Sequence, residues 1–249
     1  MPELITWAGR TLSGSDRFGE WAVTGELEGW WDSPEVKGDT AERPYQDGEF
    51  DLPVYNQARI ITVNGNLRTK GHNQLHEAGN FLTASMSGRL TVAGHGAVQW
   101  ADAKRNSGVK FTPVTDTFAQ WQVRLKCVDP RKFGESKTVA VATGSPVSVF
   151  HRGNYNATPS FVVKGSMPGG YTITVNGWNY AVTLPLVSGK PHTVDYNNGR
   201  LYVNGVLAQN SLGNTNTTPI PPGISVGVGL YPMTTGSGTA DMTITDTYI

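Results

Sequence analysis

The sequence predicts a mainly β fold in two domains, with a single helix confined to the first. Three observations carry that prediction. The chain of 249 residues holds 30 glycines and 15 prolines but only 16% charged residues, a balance rich in turns and poor in charge that suits sandwiches and barrels. Short alternating or β-branched runs dominate, and apolar spacing of helical period occurs once. From Ser136 onward the composition shifts to Thr, Asn, Gly, Val and Tyr, with no helical periodicity left. The boundary therefore falls near residues 133–136, giving domains 1–135 and 136–249. A hydrophobic fraction of 38% argues against disorder, and each half can bury a core without a disulfide or metal staple.

Residues 5–31 read as short strands interrupted by Gly9, Gly14, Gly19, Gly25 and Gly29. Residues 32–51 are loop chemistry, with Ser33-Pro34, Arg43-Pro44 and Asp47-Gly48 each favouring a turn. Ala58-Arg59-Ile60-Ile61-Thr62-Val63 is a β-branched strand that runs into Asn64-Gly65, a hairpin signal. The helix is expected over residues 73–86: Leu75, Ala78, Leu82 and Met86 share one face, Gln74, Glu77 and Asn80 the other, and Gly71 and Gly88 punctuate its ends. Gly79 weakens that helix without overturning it. Residues 89–100 and 109–114 are the next two strands, with a polar tip at Lys104-Arg105-Asn106-Ser107-Gly108 between them. Over residues 118–128, Trp121, Val123, Leu125 and Cys127 face one side and Gln120, Gln122, Arg124 and Lys126 the other, until Asp129-Pro130 stops the strand. In the second half, Asn176-Gly177, Asn197-Asn198-Gly199 and Asn204-Gly205 punctuate β-branched and aromatic runs as hairpin turns. Residues 212–223 form a loop, followed by a strand over 224–230 and a closing strand over 242–249.

Twenty basic side chains balance twenty acidic ones, so no global charge calls for nucleic acid or an anionic membrane. Such neutrality suits association with other protein surfaces. Residues 1–7 show no basic region followed by an apolar run, and no stretch approaches a membrane span; the expectation is a protein made and kept in a reducing cytoplasm before assembly. The single cysteine, Cys127, lies in an alternating strand and reads as a buried small hydrophobe. No nucleophile motif or phosphate loop is present, and no cofactor or metal is expected. Glu26, Glu28 and Asp32 beside Trp30 and Trp31 could furnish a glycosidase carboxylate pair, but a solvated strand face is the simpler reading. His72 and His76 stand one helical turn apart without the His-Glu-x-x-His pattern or a third ligand. His95, His151 and His192 read as turn residues. Trp178 and Tyr180 share one strand face, with Tyr202 and Tyr231 able to lie nearby; these four rings suit sugar stacking or a protein interface, against ordinary core packing. Lys104 and Arg105, at the tip of a polar turn, could reach a neighbouring subunit.

Taken in order, the signals form a pattern. Trp31-Asp32-Ser33-Pro34, Asp47-Gly48, Ala58 through Gly65, the lone helix, a strand pair and Asp129-Pro130-Arg131-Lys132-Phe133-Gly134 together resemble the N-terminal domain of distal tail proteins from phages with long, non-contractile tails. Residues 154–164 with Pro159 ahead of an apolar strand, Val194-Asp195-Tyr196, residues 200–205 and Thr245-Asp246-Thr247-Tyr248 are similar to the C-terminal domain of that family. The resemblance implies an N-terminal β-sandwich that closes into a six-membered ring, and a galectin-like (jelly-roll) C-terminal sandwich projecting from it. It implies a non-enzymatic virion component of the tail tip, assembled in the bacterial host cytoplasm. Its partners would be further copies of itself, the tail tube protein, the tail hub protein, and a receptor-binding protein or host-surface glycan; no membrane or sequence-specific nucleic-acid contact is implied. Two alternatives stand beside it: a lectin-like adhesion protein using the C-terminal sandwich, and a cell-wall glycosidase accessory.

Overall fold

The computed structural model describes residues 4–94, 96–208 and 212–249, so His95 lies outside the described residues. The chain divides into two compact units, Met1–Lys132 and Phe133–Tyr248. Both are built from antiparallel strands, and among the described residues one α-helix, His72–Thr83, interrupts them.

In the first unit the central pair is Arg59–Thr69 against Phe118–Cys127, ten residues in unbroken register from Cys127 opposite Arg59 to Phe118 opposite Arg68. Gly19–Val23 flanks the former strand. Lys110–Thr115 and the end of Gln99–Arg105 share the outer edge of the latter. Ser87–Ala93 and Leu4–Trp7 extend the order beyond Gln99–Arg105. Alternation does what the pattern predicts: Ile61, Val63, Leu67, Trp121, Val123, Leu125 and Cys127 are all buried in one core with Trp7, Trp21 and Trp30. Burial pushes the Cys127 thiol up to about 11, which leaves it protonated and unreactive at neutral pH.

Asn64-Gly65 makes no turn. The Arg59–Thr69 strand continues straight through it, because Gly65 faces the core opposite Trp121. A Cβ at Gly65 would stand 2.2 Å from the Trp121 ring and 2.6 Å from the Ala22 carbonyl oxygen. The glycine makes room for an indole, and Asn64 on the outer face accepts a 2.7 Å bond from Gln122.

The helix ends earlier than residue 86. Its apolar stripe is Leu75, Ala78, Gly79 and Leu82, while Met86 lies beyond the C-cap Ala84, 62% exposed. Gly79 belongs to the stripe because the Phe111 ring packs on it, 2.9 Å from where a Cβ would sit.

The second unit is a two-layer sandwich. One layer runs Val147–Val149, Val226–Pro232, Tyr171–Val175, Trp178–Val182 and Leu212–Thr215. The other places Ser160–Ser166 between His192–Asp195 and Ser237–Tyr248, with Arg200–Val203 outside the former. Phe161, Val163, Val194, Leu201 and Met242 from one layer meet Tyr171, Ile173, Val175, Val182, Val228 and Leu230 from the other. The expected turns form: Asn176-Gly177 and Asn204-Gly205 each place both residues at positive φ, 51° and 80°, 48° and 83°, the conformation of a two-residue type I′ hairpin. The loop expected from residue 212 instead opens with a short strand, Leu212–Thr215, that pairs with Trp178–Val182.

Candidate functional site

Three surfaces could carry function, and none has the makings of a reaction centre.

The first is the outer face of the central pair in the first unit. Arg124 lies opposite Thr62, Gln122 opposite Asn64 and Gln120 opposite Asn66; Lys110 and Thr112 continue these rows, and Lys104 stands directly opposite Lys126. Like charges facing across a strand pair are unfavourable in isolation. Glu20 lies opposite Arg68 and Glu28 opposite Thr62. Lys104, Lys110, Arg124 and Lys126, by contrast, take no part in the ion pairs found among the described residues.

Lys104 and Arg105 are thus not a hairpin tip. Both belong to the strand Gln99–Arg105, because its onward neighbour Lys110–Thr115 pairs with Phe118–Cys127 rather than folding back on it. Arg105 is turned inward to the molecule's own use: its guanidinium donates to the Thr83 carbonyl at 2.7 Å, capping the last turn of the helix where a cation is favoured. Lys104 remains exposed on the basic face.

The second surface is the excursion over residues 33–57. Val36–Lys37 pairs with Tyr55–Asn56, and backbone bonds from Phe50 to Ala41 and from Arg43 to Gly48 continue the hairpin outward. Within this stretch only Pro34 is buried, and none of it enters the core. The arm's root is fixed by a buried cationic clamp that sequence reasoning missed. Arg59, 2% exposed, donates to the carbonyls of Gly29, Trp30, Asp32 and Pro130 at 2.7, 3.3, 2.6 and 3.0 Å. Lys132, 4% exposed, donates to Trp30 at 2.9 Å and lies near the Trp30 and Trp31 rings. Burial, reinforced by neighbouring Arg59 and opposed by Asp32, lowers the Lys132 ammonium to about 8. Backbone carbonyls rather than carboxylates hold these cations, a pattern that carries no sequence motif.

The third surface is the aromatic set of the second unit, which the fold disperses. Trp178, 55% exposed, opens its strand just after the Asn176-Gly177 turn. Tyr180, two residues on, is buried; its ring packs on Tyr196 and its hydroxyl donates to the Gly199 carbonyl at 3.0 Å. Tyr180 therefore serves the core and not a ligand. Tyr202 pairs with Thr193 in one layer and Tyr231 with Thr172 in the other, and Tyr231 lies over Gly229. The four rings form no common platform.

The remaining candidates also separate. Glu26 and Glu28 are exposed around buried Leu27, and Glu28 forms only a single bridge to Thr62. His72 and His76 are exposed, with His72 3.7 Å from Asp116. Among the described residues no three His, Cys, Asp or Glu side chains are grouped to hold a metal, and no helix is long and apolar enough to cross a membrane. His151 and His192 are not turn residues: both are buried. His151 bonds the Ile220 carbonyl and the Gly153 N–H, and His192 bonds the Tyr171 hydroxyl at 3.2 Å.

No family model matches the sequence, and no curated protein sequence matches it. Among solved structures, the Dit protein of phage SPP1, described as a paradigm of the hub adsorption apparatus in phages infecting Gram-positive bacteria, superposes with a TM-score of 0.76 over 100% of both chains at 16% identity. Chains of the phage P2 baseplate in its activated conformation are more distant, with TM-scores of 0.49 for the calcium form and 0.46 for the strontium form at 6% and 8% identity, each covering 86% of this chain and 87% of the other. The expected likeness to distal tail proteins is thereby met at the level of fold: along its whole length the chain has the fold of the SPP1 Dit protein.

Proposed function

We propose that this chain is a structural component of a phage tail tip, closing with further copies of itself into a ring, six-membered as the sequence resemblance implies. The ring would join the tail tube to the hub and to the parts that recognise the host. The single observation that carries the reading is the end-to-end correspondence with SPP1 Dit, with nothing left over in either chain. The surfaces support it, since the first unit presents an outer strand face and a projecting arm, both better suited to protein contacts than to turnover. The lectin-like alternative needs the aromatic rings of the second unit on one surface, and burial of Tyr180 with the separation of Tyr202 from Tyr231 removes its basis.

Native mass spectrometry across a concentration series, with negative-stain images of the largest species, tests the proposal. The expected result is a closed ring near six times the 26.8 kDa chain with an open centre. A monomer at every concentration, alone and with its tail tube and hub partners, would overturn it.

A further inference from the structure

The residues outside the first unit's core are sharply sorted by charge. The arm over residues 33–57 carries Glu35, Asp39, Glu42, Asp47, Glu49 and Asp51 against only Lys37 and Arg43. The sheet face carries Lys104, Lys110, Arg124 and Lys126, none of them ion-paired among the described residues. The arm also holds Val36, Tyr45, Phe50, Val54 and Tyr55 in the open, between 52% and 105% exposed. Its backbone bonds close on the arm itself, as where Gln57 N–H meets Glu35 and Phe50 N–H meets Ala41. Ordering twenty-odd residues that bury nothing is unfavourable by about 1 kcal/mol or more per residue, and a run of exposed apolar side chains marks a contact surface.

We infer that the arm of one copy docks across the basic sheet face of the next copy, an inference that rests on the ring reading above. The root of the arm already flanks this face, because Glu28, Asp32 and Glu35 line one depression with Arg124 and Lys126 of the same chain. The acidic residues farther out make no ion pair with their own sheet. They find a counter-charge on a neighbour, where the Lys104 and Lys126 pair needs one. Arm and face are different surfaces of the same chain, so each copy gives one arm and accepts one. Such a heterologous contact repeats head to tail and closes into a ring when the rotation permits. The acidic side chains supply register and the apolar ones area, and the charge component is screened as salt shortens the Debye length from about 10 Å at 0.1 M to about 3 Å at 1 M.

The test is a charge swap read by native mass spectrometry and by zero-length carbodiimide cross-linking of mixed light and heavy-isotope protein. The face variant is Lys104→Glu, Lys110→Glu, Arg124→Glu and Lys126→Glu; the arm variant is Asp39→Lys, Glu42→Lys, Asp47→Lys and Glu49→Lys. All eight positions are exposed or half-exposed, and unchanged far-ultraviolet circular dichroism checks that each variant folds. Each variant alone raises the concentration needed for assembly by at least about ten-fold, the equimolar mixture recovers it, and light–heavy cross-links join arm carboxylates to Lys104, Lys110 or Lys126. A ring that forms equally well in both variants overturns the inference and leaves the ring reading standing. Monomers in the wild-type protein at every concentration overturn both. Loss of duplex DNA affinity in the face variant, with assembly unchanged, would assign the face to nucleic acid and overturn the docking.

Discussion

Residues 1–132 carry 16 acidic and 15 basic side chains, whereas residues 133–249 carry 4 and 5. Both units are antiparallel and both have one buried core, so the difference does not lie in what makes them fold. It lies in how each treats polar groups. The first buries two cations, Arg59 and Lys132, against backbone carbonyls, and displays further charge on an arm and a sheet face. The second buries uncharged polar rings, Tyr171, Tyr180, Tyr196, His151 and His192. Its surface is left nearly free of charge. A unit that must meet copies of itself in one register benefits from charge, because charge discriminates between docking geometries. A compact sandwich without that demand does not.

Substitutions in the two interiors sharpen this contrast, and the largest effect is expected at the clamp. Arg59→Ala strands four carbonyl partners in the buried root of the arm and should cost the first unit about 3 kcal/mol or more. Six of the seven tryptophans lie in that unit, so tryptophan fluorescence during urea unfolding reports it selectively. An unchanged midpoint would mean the clamp is not holding the loop. Gly65→Ala drives a methyl group into the Trp121 ring and the Ala22 carbonyl and should cost about 1–3 kcal/mol by overpacking, read by the same unfolding curve.

Titration separates the units in sign. The Lys132 ammonium falls to about 8 in the folded chain from the ordinary 10.5. Between those values the unfolded chain holds the proton and the folded one does not, so the first unit gains stability as pH rises from 8 toward 10.5. Tyr171, Tyr180 and Tyr196 are shifted the other way by burial. Above pH 10 the unfolded chain loses protons the folded one keeps, and the second unit weakens. Burial also lowers His192, so that unit weakens again as pH falls below 6.5. Urea midpoints followed from pH 7 to 10 by fluorescence should rise for the wild type and stay flat for Lys132→Met. A rise that persists in the variant would reassign it to another group.

Tyr180→Phe removes one hydrogen bond to Gly199 and should cost about 1 kcal/mol, seen as a modest calorimetric shift of the second unit. Trp178→Ala, at an exposed position, should change stability by no more than about 0.5 kcal/mol; a much larger loss would show that the ring packs more than its exposure implies.

Much of this architecture was legible in the residues, and the exceptions share a cause. Alternation over residues 118–127 placed every inward side chain correctly, because a strand buried on one face must alternate whatever covers it. Asn176-Gly177 and Asn204-Gly205 were legible because a type I′ turn needs positive φ at both positions. Asn64-Gly65 has the same letters but a different reason, a distant indole that local sequence does not encode. The Arg59 clamp, the Arg105 cap on the helix and the two buried histidines were hidden in the same way. Each is satisfied by backbone carbonyls, amides or hydroxyls contributed from elsewhere in the chain. The Tyr180 ring shows the limit for candidate sites, since parity on a strand gives the face but not whether a second layer covers it.

The account's central claim is that copies of this chain join through the first unit, arm to face. A cryo-electron microscopy reconstruction of the assembled protein tests it most directly. The account predicts a closed ring in which density for residues 33–57 crosses the neighbouring subunit beside its Lys104 and Lys126. A ring held by other surfaces, with each arm free in solvent or folded onto its own sheet, would contradict it.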